Sequence, residues 1–142
     1  MGSAATNVSA FGVDLSERNL AEARRRHRGS HLTLILADAQ AVPIDTAALS
    51  GCRVERTLRH VVDPRAVMGE IARVVHPGGR VATAEPDWAL SVCTGGSERV
   101  STAVLHNWLQ GRNNNPTVGR SLPGLVVSAG IDCVCVSSDS VV

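Results

Sequence analysis

The sequence predicts an α/β fold built on a mainly parallel sheet with helices on both faces. Two observations carry this. Short apolar runs alternate with helical stripes along most of the 142 residues, the order expected of βαβ units. The run "HLTLILAD", residues 31–38, is continuously apolar, as a strand covered on both faces is. No internal repeat, low-complexity tract or linker divides the chain, so it reads as a single domain over 1–142.

Residues 8–14, "VSAFGVD", read as the first strand. Ser16 is placed to cap the next helix, and Glu17 sits in its first turn, near the positive end of the dipole. That helix runs to about Arg28, with arginines in its last turn and Gly29 just beyond. Leu20, Ala23 and His27 share one face, and Glu22 with Arg26 forms a favourable i,i+4 pair. "HLTLILAD" is the second strand, and a polar loop with Pro43 follows. "TAALSG" reads as a short helical turn and "GCRV" as a weak strand.

Asp63 and Pro64 start a helix as N-cap and first-turn proline, with Val67, Ile71, Val74 and Val75 as its buried stripe. "HPGG" is a turn and "RVATAE" the next strand. A loop with Trp88 leads to a helix near 97–110, striped by Val100, Val104 and Trp108. After the loop "RNNNP", Ser121 is expected to cap a helix that buries Leu122, Leu125, Val126 and Ala129 and stops at Gly130. "IDCVCVSS" reads as a final strand.

Composition narrows the function. A net charge of +1 gives no electrostatic case for nucleic acid or an anionic membrane. No apolar run approaches the ~20 residues of a membrane span, and the start lacks a signal-peptide pattern, so a cytoplasmic protein is expected. Gly2 with Thr6 matches a loose myristoylation pattern, and Asn7–Ser9 a glycosylation sequon; both read as chance. Cys52, Cys93, Cys133 and Cys135 lack metal-ligand spacing, so no metal is expected and the thiols read as buried and free.

In open α/β sheets ligands bind at the carboxyl ends of the strands. Asp14 and Asp38 close two successive strands there. Asp14 can accept hydrogen bonds from two vicinal ribose hydroxyls, or serve the start of the next helix. Asp38, with Ala39 beside it, can accept from the exocyclic amine of adenine, or close an Asx-turn. His60 is a weak candidate for a general base, with a hydrogen bond near the helix start as the alternative. Arg56 and Arg120 suit a substrate carboxylate or phosphate, against a solvated or internally paired alternative.

The stretches "GVDLSERNLAEAR", "ADAQAVPID", "ERTLRHVVDPRAVMGEIARVVHPGGRVATAEPDW" and "GRSLPGLVVSAGI" together resemble the class I S-adenosylmethionine-dependent methyltransferases, in the small-molecule branch called type 11. The resemblance covers about residues 8–137. It implies a Rossmann-like fold, S-adenosyl-L-methionine as cofactor and a small-molecule methyl acceptor. It also assigns residues. Asp14 and Leu15 fall at the ribose, Asp38 and Ala39 at adenine, and Arg53 and Val54 where the family's fourth strand meets the methionine moiety. Glu85, Asp87, Trp88 and Arg120 fall near the acceptor pocket.

The family's first strand ends in a glycine-rich turn similar to D-x-G-x-G-x-G, where a side chain would clash with the cofactor. No such motif occurs in this sequence. The resemblance therefore implies a partial fold, truncated at both ends: the first strand and its glycine turn, and the last strand, are missing. Since that first strand is central in the family's sheet, its removal separates the strands into two groups. Exposed strand edges would then allow homo- or hetero-oligomers. A shortened gene product, an inactive remnant and a partner subunit with a partial nucleoside site all stay open. A nicotinamide-dependent oxidoreductase would also use an acid after its second strand, but no G-x-G-x-x-G precedes Asp14.

Overall fold

The structure is a computed structural model that describes residues 9–28, 31–91, 96–111 and 114–139. Gly2, Thr6, Asn7, Val8, Gly29, Cys93 and the side chain of Trp108, each used above, lie outside the described residues. The chain divides into two compact units, Met1–Ile44 and Asp45–Val142.

The first unit is a single βαβ element: β1 (Ala10–Asp14), α1 (Glu17–Arg26) and β2 (Leu32–Leu36). The strands are parallel, with Asp14 opposite Leu36. The capping chemistry is as the sequence predicts. Ser16 accepts from the Asn19 amide at 3.3 Å, and Glu22 holds both Arg25 and Arg26 on the exposed face. The helix ends at Arg26, with His27 as C-cap, rather than at Arg28. Leu20 is 3% exposed and anchors the helix to the unit. A Cβ on Gly12 would stand 2.7 Å from Leu34 Cδ2, so the leucine of β2 packs over bare backbone in β1.

The second unit holds β3 (Leu49–Glu55), α2 (Pro64–Val74), β4 (Val75–Ala84), a 3-10 turn at Trp88–Leu90, α3 (Glu98–Gly111) and α4 (Val118–Ser128). β3 and β4 are parallel to one another. Asp63 caps α2, with Pro64 in its first turn as expected. Val54, Leu58, Val67, Met68, Ile71, Val74, Val118 and Leu125 form the core. Among the described residues, four strands form two parallel pairs, β1–β2 and β3–β4.

Several local expectations are corrected. "GCRV" is no weak strand: it sits in the seven-residue β3, where pairing to β4 outweighs the low strand propensity of Gly51 and Ser50. "TAALSG" forms no helical turn beyond Thr46–Ala47; Ala47 has φ 57° and its amide bonds Arg73 O at 2.8 Å. "HPGG" is a bulge inside β4. Leu49 pairs with Val75 while Gly51 pairs with Arg80, so residues 76–79 are extra length in the strand. Gly78 has φ +82°, and a Cβ on Gly79 would lie 2.9 Å from His76 O and 3.0 Å from Ser50 O, so both glycines are needed.

On α3, Val100 and Val104 are 56% and 47% exposed. Ser121 lies inside α4, whose N-cap is Thr117, because Val118 enters the core and draws the helix start with it. Gly130 follows α4 with φ +77°, as expected of a helix-ending glycine. Residues 131–139 take no strand conformation. Cys133 and Cys135 are accordingly exposed rather than buried, and Cys52 is half-buried; all three are free.

Candidate functional site

In the first unit the acids end β1 and follow β2 on neighbouring parallel strands. Asp14 Oδ1 accepts from the Ser16 amide at 2.8 Å, and Oδ2 accepts from Asn19 Nδ2 at 3.0 Å. The chain turns into α1 directly after β1, so a carboxylate at the strand end meets the first amides of the helix. Each oxygen takes one bond. A carboxylate has about four acceptor positions, so roughly two stay open, enough for two hydroxyls. The helix-start role and the ribose role are therefore compatible at Asp14. Leu15 beside it is 68% exposed.

Asp38 closes the Asx-turn that was its alternative reading. Its Oδ1 accepts from the Gln40 amide at 2.9 Å, and Gln40 Nε2 reaches both oxygens at 3.3 and 3.2 Å. Ala39 is half-buried beside it. A shallow cleft of about 550 Å³ in this unit is lined by Glu17, Arg18, Leu20, Ala21, Arg24 and Leu36. Leu36 is the residue paired with Asp14.

In the second unit, Arg53 is exposed and pairs with Glu55, while Val54 is 9% exposed and belongs to the core. The four acceptor-pocket candidates come together beyond β4. Asp87 and Arg120 form a two-pronged ion pair, with Arg120 Nη2 3.0 Å from Oδ1 and the Nε–H on Oδ2. The Asp87 side chain is 10% exposed, and the guanidinium beside it holds its carboxyl below the usual carboxylate range. Arg120 is thus internally paired. Asp87 also caps the 3-10 turn that carries Trp88, through the Ala89 amide at 3.1 Å. Glu85 accepts from the amides of Thr57 and Leu58, both at 2.6 Å.

His60 is exposed. Its backbone amide bonds Thr57 O at 2.9 Å, and the start of α2 is served by Asp63 instead of the imidazole. Arg56, also exposed, has φ 54°. Sequence reasoning missed three residues of this cluster. Arg59 stacks over the Trp88 ring at 5.3 Å. Asn114 and Asn115 donate to carbonyls of the 58–61 turn. The only signal in the sequence was the asparagine run itself, which reads as an ordinary loop. Among the described residues no group of three His, Cys, Asp or Glu could hold a metal. Among them, too, no helix is long and apolar enough to cross a membrane.

A family model described as "Methyltransferase domain" matches residues 2–83. A demethylmenaquinone methyltransferase of Clavibacter sepedonicus is 35% identical over 83 residues, 58% of this chain and 34% of that protein. The methyltransferase GfsG of Streptomyces halstedii is 31% identical over 137 residues, 89% of this chain and 46% of that protein. An S-adenosylmethionine-dependent methyltransferase of Thermotoga maritima, described as a possible histamine N-methyltransferase, superposes with a TM-score of 0.61 at 20% identity. That match covers 85% of this chain and 54% of the other, and it shows the shared fold. The chain spans less than half the length of these two curated relatives.

Proposed function

Because the chain belongs to the class I S-adenosylmethionine-dependent methyltransferases, in their type 11 branch, we propose that its first unit holds the nucleoside part of S-adenosylmethionine. On the same reading, the protein methylates an O, N or C nucleophile of a small molecule. The observation that carries this is Asp14: an acid at the carboxyl end of a parallel strand, oriented by two bonds yet with acceptor capacity to spare.

Bound cofactor would supply a sulfonium methyl group for in-line transfer to an acceptor lone pair. This chain's residues then have limited tasks. Asp14 holds the ribose hydroxyls, with Leu15 beside them. Asp38 and Ala39 meet the adenine. Arg53 and Val54 remain candidates for the methionine end through their backbone, since one side chain is paired and the other buried. Glu85, Asp87, Trp88 and Arg120 shape the acceptor side, and the exposed imidazole of His60 is the candidate to take the acceptor's proton. Holding donor and acceptor in line supplies much of such a rate, so no catalytic dyad is required.

Titration calorimetry with S-adenosylmethionine tests the reading. Binding is expected, and Asp14→Ala should weaken it at least about tenfold through loss of charge-assisted hydrogen bonds. No heat at millimolar cofactor would sink it for this chain. The strand topology favours a second reading, a non-catalytic partner that completes its sheets with another chain. That reading expects no cofactor heat and a concentration-dependent mass in solution.

A further inference from the structure

The turn that follows β3 is held by an unusual number of backbone bonds from segments far along the chain. At its amide side, one Glu85 oxygen takes both the Thr57 and Leu58 N–H groups at 2.6 Å. The preceding Arg56 amide bonds Ala84 O at 2.9 Å, so the end of β4 grips three successive amides. At its carbonyl side, Asn115 Nδ2 donates to Leu58 O at 3.1 Å and Val61 O at 2.8 Å, and the Asn115 amide donates to Arg59 O at 3.0 Å. Asn114 Nδ2 donates to His60 O at 2.8 Å. Every carbonyl from Leu58 to Val61 is thereby occupied.

Two further observations say that this binding does more than close a loop. Arg56 sits at φ 54°, a conformation a long side chain adopts only when its surroundings impose it. Leu58 is fully buried, while the next two residues carry functional groups: Arg59, half-buried, lies over the Trp88 ring, and His60 is exposed. We propose that Glu85, Asn114 and Asn115 are positioning residues: they lock the 57–61 turn so that Arg59 and His60 stand in one arrangement at the carboxyl end of β3 and β4. The proposal rests on the reading that the methyl acceptor is received at this end of the second unit. The turn then acts as a preformed wall of that pocket, and its ordering cost is met on folding rather than on binding.

The test uses the full chain in a Trp108→Phe background, so that Trp88 alone emits. Glu85→Ala should speed amide exchange at Thr57 and Leu58 at least about tenfold, the factor implied by losing a charge-assisted bond, and shift the Trp88 emission. Glu85→Gln keeps an acceptor oxygen and should restore most of both signals. Asn115→Ala should broaden or split the imidazole resonances of His60. If it does not fold, Asn114→Ala, which removes the bond to His60 O, is read instead. The proposal is overturned if exchange quickens equally throughout β3 and β4, if Gln rescues no better than Ala, or if the His60 resonances do not move. Cofactor calorimetry on the same samples separates the two ideas. If the chain binds no cofactor but shows the local exchange pattern, the cofactor-site reading fails while the locking of the 57–61 turn by Glu85, Asn114 and Asn115 stands.

Discussion

Gly119, in the first turn of α4, offers a sharp test of how that helix is seated. A Cβ there would stand 2.8 Å from Glu85 O, 2.9 Å from Pro86 C and 3.0 Å from Asp87 N. All three are backbone atoms, so no side-chain rotation relieves the clash, and either α4 or the segment after β4 must shift. Overpacking of this kind costs about 1–3 kcal/mol. Gly→Ala in a helix returns about 0.5–1 kcal/mol through reduced freedom of the unfolded chain. Gly119→Ala should therefore lose roughly 1–2 kcal/mol net. Gly124 supplies the control within the same helix. A Cβ added there would meet nothing within 4 Å and its φ is not positive, so Gly124→Ala carries only the gain. The gain is common to both, so the two variants should differ by the overpacking cost alone, about 1–3 kcal/mol, which for a unit of this size separates their melting temperatures by roughly 5–20 °C. Thermal unfolding followed by circular dichroism measures this. If Gly119→Ala melts at or above Gly124→Ala, α4 does not rest on the Glu85–Asp87 backbone as described.

Three further outcomes follow from the same geometry. Asp87 has its folded pKa lowered by Arg120, below an unfolded value of about 3.9; its pairing therefore contributes stability above that value, lost as pH falls through the folded pKa. Urea midpoints between pH 6 and pH 3 should fall less steeply in Arg120→Gln than in the parent, and equal slopes would refute the link. Asp63→Ala removes the bonds to the Arg65 and Ala66 amides at 2.8 and 3.3 Å, and should lower unfolding free energy by about 1 kcal/mol. In a Cys93→Ser background, Ellman's reagent should modify the exposed Cys133 and Cys135 before Cys52, whose thiol pKa is raised by burial. Equal rates for all three would contradict the burial of Cys52.

What the sequence made legible is chemistry that closes within a few residues. Ser16 on Asn19, Asp63 on Arg65 and Ala66, Glu22 on Arg26, and Gly130 after α4 all involve neighbours in the chain, so residue type and spacing suffice. The alternation of elements was legible for the same reason. β3 was underestimated because its stability comes from pairing with β4, which Gly51 and Ser50 do not announce. The stripe on α3 was legible, but periodicity shows that a stripe exists, not what covers it, and Val100 and Val104 are exposed. The grip on the 57–61 turn was invisible. Its donors lie 54 and 57 residues from the carbonyls they serve, and asparagines in a loop carry no mark of their distant partners.

Asp14 and Asp38 looked equivalent as acids at strand ends, and the structure makes them unequal. At Asp14 the local bonds come from one backbone amide and one exposed asparagine, a single donor to each oxygen. Those bonds aim the carboxylate and leave acceptor positions open. At Asp38 the Gln40 side chain bridges both oxygens while the Gln40 amide takes one of them again. A base that hydrogen-bonds to Asp38 must compete with that amide group, and most simply displaces it. Loss of Asp14 should then remove interactions that the free protein already presents. Loss of Asp38 also removes the cost of releasing Gln40, so the measured effect on affinity should be smaller even if both acids touch the nucleoside. Equal losses of affinity on alanine substitution at the two positions would mean that Gln40 does not guard Asp38 in solution.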